Sequence, residues 1–301
     1  MDSKSAPKAR LRLAHHLRLG LAFAALALLA ACSALRIGYN NADTMLLWSL
    51  DGYLDLDSEQ TALVRQRSAR LLAWHRETQL RDYSQLLAQI RAGLTQPVSA
   101  ADVLGFQNQM RQKLAILGDE AALDLAELAL SLRPEQIARL RDKLADDNRK
   151  ARRELASQGD SAQVRQAVER AEDWFGPLSR EQKAGLAQWH AGLPLETAVW
   201  LEERERRQQE VLNVLLRIQL DRPAPAEATR WLRGMFAGWM NPPDPARLAL
   251  SLRWREHNAR VTTWLIEHAS PAQREHFSRK LAAYEEDFSL LAAEGSTRRR
   301  G

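Results

Sequence analysis

From residue 42 onward, apolar side chains return every three or four positions, with charged and amide side chains between them. That period belongs to a helix with one buried face. The first such segment, about 42–55, is short and strongly apolar through Leu46, Leu47, Trp48, Leu50 and Leu54. A longer pattern from about Ser58 to Gly93 repeats Leu72, Leu80, Tyr83, Leu87 and Ile90 at helical spacing. TQPVSAAD breaks it, and Ser99 and Asp102 are start signals for a helix over about 100–130. Pro134 to about Ser157 aligns Ile137, Leu140, Leu144, Ala151 and Leu155. Further helices are predicted over 161–175, 180–191, 195–220, 226–240, 245–268 and 271–293, separated by FGPLS, GLP, DRPAPA, NPPDP and ASP. The second half of 195–220, VLNVLLRIQL, is apolar nearly all round and is expected in the core. Its first half offers Glu202–Arg206 and Glu203–Arg207 as i,i+4 pairs. No segment alternates as a strand does. The expectation is an all-α, single-domain, multi-helix bundle of about nine to eleven helices without a sheet, spanning 42–294, with a basic disordered tail over 295–301.

The chain before residue 42 follows another pattern. Lys4, Lys8, Arg10, Arg12 and Arg18 precede the uncharged run LGLAFAALALLAA, which ends at the single cysteine, Cys32. A basic start, a short apolar run and small residues are the anatomy of a secretory signal. The run is too short to cross a bilayer, which takes about 20 residues. Leu29-Ala30-Ala31-Cys32 resembles the bacterial lipobox, which implies cleavage between Ala31 and Cys32, acylation of the cysteine sulfur and attachment to a membrane through it. Ser33 stands where an Asp signals inner-membrane retention, so that sorting rule favours the periplasmic face of the outer membrane. Residues 32–41 then read as a short linker. The segment after it suits the first core helix of the domain, with Trp48 docked, or an interfacial helix lying in the headgroups; its modest length, Asp51 and Asp55 favour the former.

Charge changes the picture little once that segment is set aside. The chain has 43 Lys+Arg and 38 Asp+Glu, but five basic residues and one acidic residue precede Cys32. The remainder is nearly neutral, without the basic footprint of a nucleic-acid binder. An acylated Cys32 leaves no thiol for disulfides or cysteine-based metal sites.

One five-residue pattern opens four predicted helices: Leu56-Asp57-Ser58-Glu59-Gln60, Leu132-Arg133-Pro134-Glu135-Gln136, Leu178-Ser179-Arg180-Glu181-Gln182 and Ala269-Ser270-Pro271-Ala272-Gln273. These are capping boxes, in which Asp57, Ser179 or Ser270 accepts a first-turn N–H and the glutamine reaches back to the cap. Arg133 lacks the capping oxygen, so Gln136 keeps half the box. The spacings are too irregular for a solenoid. The boxes resemble the LTxxQ motif of small periplasmic chaperones, helical proteins that bind unfolded clients. A resemblance over nearly the whole chain rests on the lipobox, Tyr39-Asn40-Asn41-Ala42-Asp43, Leu56-Asp57 with Gln60, Trp74-His75-Arg76, Asp147-Asn148, ERAEDWFGPLSREQ and WLEERERRQ. These are similar to a family of all-helical Gram-negative lipoproteins that carries a domain-of-unknown-function label. It implies fold and address, and no activity.

Candidate chemistry is sparse. The seven histidines form no His-x-x-x-His or His-Glu-x-x-His pattern, and neither G-x-S-x-G nor a phosphate-cradling glycine loop is present. No catalytic residue, metal site or cofactor is expected. Asp147-Asn148 interrupts an apolar seam between Leu144 and Ala151, and reads as a rotated surface pair, a buried network or part of a ligand site. Seven of the nine tryptophans follow residue 173; Trp231 and Trp254, with Arg233 near the first, suit either a core or a partner groove. The expected function is non-enzymatic binding or chaperoning of another envelope protein. The alternatives are a tether acting through helix packing and, third, an envelope hydrolase. Client binding predicts a concave apolar patch flanked by basic residues, and tethering predicts a helix face without a cleft.

Overall fold

A computed structural model describes residues 34–191 and 196–298, except for the side chains of 158–162, 196–198 and 296–298. Among the described residues there is no strand. After a helical stretch over 34–40 come α1 (Ala42–Leu54), α2 (Ser58–Thr78), α3 (Leu80–Gly93), α4 (Ala100–Ser131) and α5 (Pro134–Phe175). The second half comprises α6 (Arg180–Ala191), α7 (Glu196–Asp221), α8 (Pro225–Met240), α9 (Pro245–Glu267) and α10 (Pro271–Arg298). The all-α class holds among the described residues.

Several boundaries move for physical reasons. The predicted helix 58–93 is cut at Gln79, letting Leu80 turn into a buried contact with the C-terminal helix. The predicted gap between 157 and 161 does not open, and α5 runs 42 residues through Gly159. At 1.5 Å per residue that helix is about 63 Å long. The stretch expected to be a linker is helical over 34–40, and residues 295–298, assigned to a disordered tail, continue α10. Gly295 is buried there, and a Cβ on it would stand 3.1 Å from the Arg76 Cβ.

Three clusters hold the described residues together. The largest joins α1 (Leu47, Leu54), α2 (Val64), α4 (Ala122, Ala126), the start of α5 (Ile137, Leu140), α7 (Leu212, Ile218) and α8 (Ala228, Leu232). The second joins the far end of α5 (Ala171, Phe175) to Leu186 of α6, Leu265 of α9 and Ala269. The third packs Leu80 and Tyr83 of α3 against Leu291 and Ala292 of α10. The long α5 therefore has one end in each of the first two clusters. VLNVLLRIQL is core on one side only: Leu212, Leu215 and Ile218 are buried, while Leu216 and Leu220 face solvent. Glu203 pairs with Arg206 and with Arg247 of α9 at 3.0 Å, whereas Arg207 lies over the Trp239 ring. Burial pushes the Glu203 carboxyl up, but the bonds from both arginines outweigh it and bring it down to about 2.

The glutamines of the four boxes meet in pairs. Gln60 donates to Gln136 Oε1 at 3.0 Å and Gln136 donates back to Gln60 Oε1 at 2.7 Å. Each also donates to the backbone at the other's elbow, Gln60 to Ser131 O and Gln136 to Asp55 O. The second pair repeats this: Gln182 and Gln273 exchange bonds at 2.9 Å, and donate to His268 O and Pro177 O. Asp57, Ser179 and Ser270 each accept the N–H of their glutamine, and every glutamine Oε1 takes the N–H of its cap residue, that of Arg133 included. The Arg133 side chain instead reaches the Asp57 carboxylate of the partner elbow. All four amides are buried. The boxes thus form two pairs of crossed elbows, one pair beside each of the first two clusters.

Candidate binding cavity

The second elbow pair fixes α5, α6, α9 and α10 at one end of the molecule, and α3 and α4 close over them. Between these helices lies a cavity of about 820 Å³. Its wall is aromatic and aliphatic: Leu87 and Ile90 of α3, Phe106 of α4, Trp174 and Phe175 of α5, Trp189 of α6, Trp254 and Val261 of α9, and Phe277 and Leu281 of α10. The rings brace one another, Phe175 stacking on Phe277 at 4.7 Å and Trp174 meeting the same ring edge-on at 5.9 Å. Trp189 meets His257 edge-on at 5.6 Å. Gly185 of α6 lets α9 approach: a Cβ there would stand 2.2 Å from the Trp264 ring.

Polar groups are few. His190 is hydrogen-bonded to Gln163 at 2.8 Å. The Asp102 carboxyl is occupied by the Ser99 hydroxyl and N–H, which hold it below the usual carboxylate range. Gln107 Oε1 is buried without a hydrogen-bond partner among the described residues. Arg170, on the exposed side of α5, makes no ion pair among the described residues. An apolar chamber of this volume with scattered polar groups is the usual form of a ligand site.

Of the five residues proposed from the sequence for binding, Asp147, Asn148, Trp231, Arg233 and Trp254, only Trp254 lines this cavity. Asp147 and Asn148, both half-buried, point to different helices: the Tyr53 hydroxyl donates to Asp147 at 2.7 Å, and Asn148 donates to Gln208 of α7 at 2.6 Å. The surface alternative therefore gives way to a network that ties α1 and α7 to α5. Trp231 packs on the first cluster beneath the Arg217 guanidinium, 3.7 Å from the ring centroid. Arg233 donates to Asp119 O at 3.2 Å. Ala31 and Cys32 lie outside the described residues. Sequence reasoning passed over Trp174, Trp189, Phe106 and Phe277; the concentration of tryptophans after residue 173 pointed toward them, but a tryptophan lining a cavity and one filling a core share the same periodicity. Among the described residues no cluster of three or more His, Cys, Asp or Glu could hold a metal, and no helix is long and apolar enough to cross a membrane.

Fold and cavity together define an all-helical protein whose distinctive feature is an aromatic-lined chamber between two layers of helices. The chain belongs to the family of unknown function DUF6279, whose profile matches residues 52–227. That stretch holds Gln60, Gln136, Gln182 and all of α5, and it stops before α9 and α10, which supply one wall of the cavity. No curated protein and no solved structure matches the chain.

Proposed function

We propose that this is a non-enzymatic envelope protein, held to the membrane through an acylated Cys32, that binds the apolar chain of another envelope component in the cavity between α3, α4, α5, α6, α9 and α10. The observation that carries the reading is the 820 Å³ aromatic-lined chamber with Arg170, which makes no ion pair among the described residues, in its lining. Pockets for drug-sized ligands span roughly 300–1,000 Å³. A cation beside an apolar chamber favours an amphiphile with an anionic head, such as a fatty acid or an acyl chain with a phosphate nearby. The cavity supports binding over tethering, which needs no cleft. Ser33 favours the periplasmic face of the outer membrane.

A fluorescent fatty acid titrated into the purified protein should bind saturably, one per chain, and be displaced by oleate. Val261→Trp, which fills the chamber, should abolish this binding while the helical circular dichroism stays unchanged. Arg170→Gln should weaken the fatty acid more than the matching fatty alcohol. Binding that is non-saturable, or indifferent to Val261→Trp, would refute the assignment. Binding of unfolded protein but not of fatty acid would transfer the cavity to a client's apolar side chains.

A further inference from the structure

The docking of α1 leaves its other side uncovered. Leu47 and Leu54 enter the first cluster, and Leu50 packs against it. The opposite side is apolar and open, contrary to the docking of Trp48 that the sequence favours: Trp48 is 71% exposed, Ile37 60% and Met45 58%. Helical hydrogen bonds run through the junction, from Asn41 N–H to Ile37 O and from Met45 N–H to Asn41 O. Positions 37, 41, 45, 48 and 52 therefore share one stripe. Its members are Ile37, Asn41, Met45, Trp48 and Gly52, and none carries a charge. The acids of α1 are engaged by nearby backbone, Asp43 accepting from the Thr44 N–H at 2.7 Å and Asp51, at the margin of the stripe, from the Leu56 N–H at 3.0 Å.

The stripe is fixed on the body. Arg36 pairs with Glu294 of α10 at 3.0 Å, the Tyr39 hydroxyl is hydrogen-bonded to His75 at 2.7 Å, and Arg76 donates to Asn40 at 2.6 Å. These bonds hold 34–40 against α2 and α10, so the stripe moves with the whole protein. Cys32 stands two residues before the first described position, a reach of at most about 7 Å.

We infer that Ile37, Met45 and Trp48 form a second membrane contact that lies in the headgroup region of the bilayer to which Cys32 is anchored. The inference rests on the acylation reading above. Lipid, rather than a second copy of the chain, is the occupant because the chain meets its anchor at the edge of this stripe, which keeps the surface facing the membrane at high effective concentration. A tryptophan beside aliphatic side chains on an uncharged face has the chemistry of the bilayer interface. The acyl chains then set attachment, and the stripe sets the angle at which the cavity faces away from the membrane.

The test uses the chain from Cys32 onward, which keeps every contact described above, with its single cysteine coupled to a maleimide phospholipid in phosphatidylethanolamine–phosphatidylglycerol vesicles. The emission of Trp48→Phe subtracted from that of the unsubstituted chain isolates Trp48 among nine tryptophans. In vesicles that difference should shift to the blue and lose most of its intensity to lipids brominated near the headgroup. Ile37→Asn with Met45→Gln, both exposed positions, should restore most of the intensity without changing the melting temperature. A Trp48 signal that stays solvent-like in vesicles overturns the inference. A blue shift without lipid that grows with protein concentration also overturns it, in favour of a second copy. The mass of Cys32 in protein taken from cells tests acylation separately, because chemical coupling bypasses it.

Discussion

Gln182 and Gln273, ninety-one residues apart, exchange amide hydrogen bonds at 2.9 Å in both directions while each closes the capping box of its own helix. One amide thus serves the start of its own helix, the partner amide and a carbonyl of the opposite elbow. Truncating either side chain takes a partner from the buried amide of the other glutamine and from two part-buried backbone groups. A buried donor or acceptor left unmet costs about 1–3 kcal/mol. Gln273→Ala should lower stability toward the upper part of that range in urea unfolding. Gln182→Ala combined with Gln273→Ala should cost clearly less than the two single losses added, as expected for residues in direct contact. Ser179→Ala removes only the cap oxygen, should cost about 1 kcal/mol, and should leave fatty-acid binding intact.

A capping box is a local pattern, which is why these helix starts could be read from the sequence and their pairing could not. Capping uses the Oε1 of each glutamine and says nothing of its NH₂ group, and that group decides which elbow meets which. The same division runs through the boundaries. Gln79 carries no breaker signal, and the chain bends there because Leu80 is buried against Leu291; the sequence reading ends one helix near Ser157 and starts the next at 161, yet α5 passes through with an end held in each of two clusters. Trp254 could be found from sequence because arginines flank it. Trp174 and Trp189 could not be told from core residues, since lining a cavity and filling a core differ only in what stands opposite.

Gly185→Ala should be costly although alanine is the better helix former. The new methyl would meet the Trp264 ring, whose nearest carbon lies 2.2 Å from the ideal Cβ position. Overpacking of this kind costs typically 1–3 kcal/mol. The expected result is a lower melting temperature, with a tryptophan emission change that is absent from Gly234→Ala, where the added methyl meets open space.

Acid should weaken the protein through His75. Burial holds the His75 ring below its ordinary value of 6.5, so the folded chain keeps it neutral beside Tyr39 and Tyr83. The unfolded chain protonates near 6.5, and protons therefore favour unfolding as pH falls below that value. Stability from this group is fully present above pH 6.5 and is lost as pH falls through the lowered folded-state pKa. His75→Gln should flatten the decline measured by urea unfolding between pH 7 and pH 5. An unchanged slope would place the acid sensitivity elsewhere.

Arg70 is the cation that balances the buried Asp124. It binds Asp124 at 2.7 Å and Glu120 at 2.7 Å, while Arg67 stands 3.9 Å from Asp124. Hydrogen bonds to charged groups contribute about 1.5–3 kcal/mol, and the partial exposure of Arg70 puts the expected cost of Arg70→Ala at the lower end. Arg67→Ala, whose closer partner is the half-buried Glu127, should cost less.

Leu80 and Leu291, both without exposed surface, share one cluster although 211 positions separate them in the chain. That arrangement puts a clock on the protein's birth. While the polypeptide is still emerging, α3 has been made but its partner α10 has not, so the Leu80 and Tyr83 face must wait through the synthesis of nearly two hundred residues. Contacts between distant residues form late and slow folding. Until the last helix arrives, the nascent protein exposes a greasy surface that its finished form hides, and a chain stopped short of residue 291 never closes it.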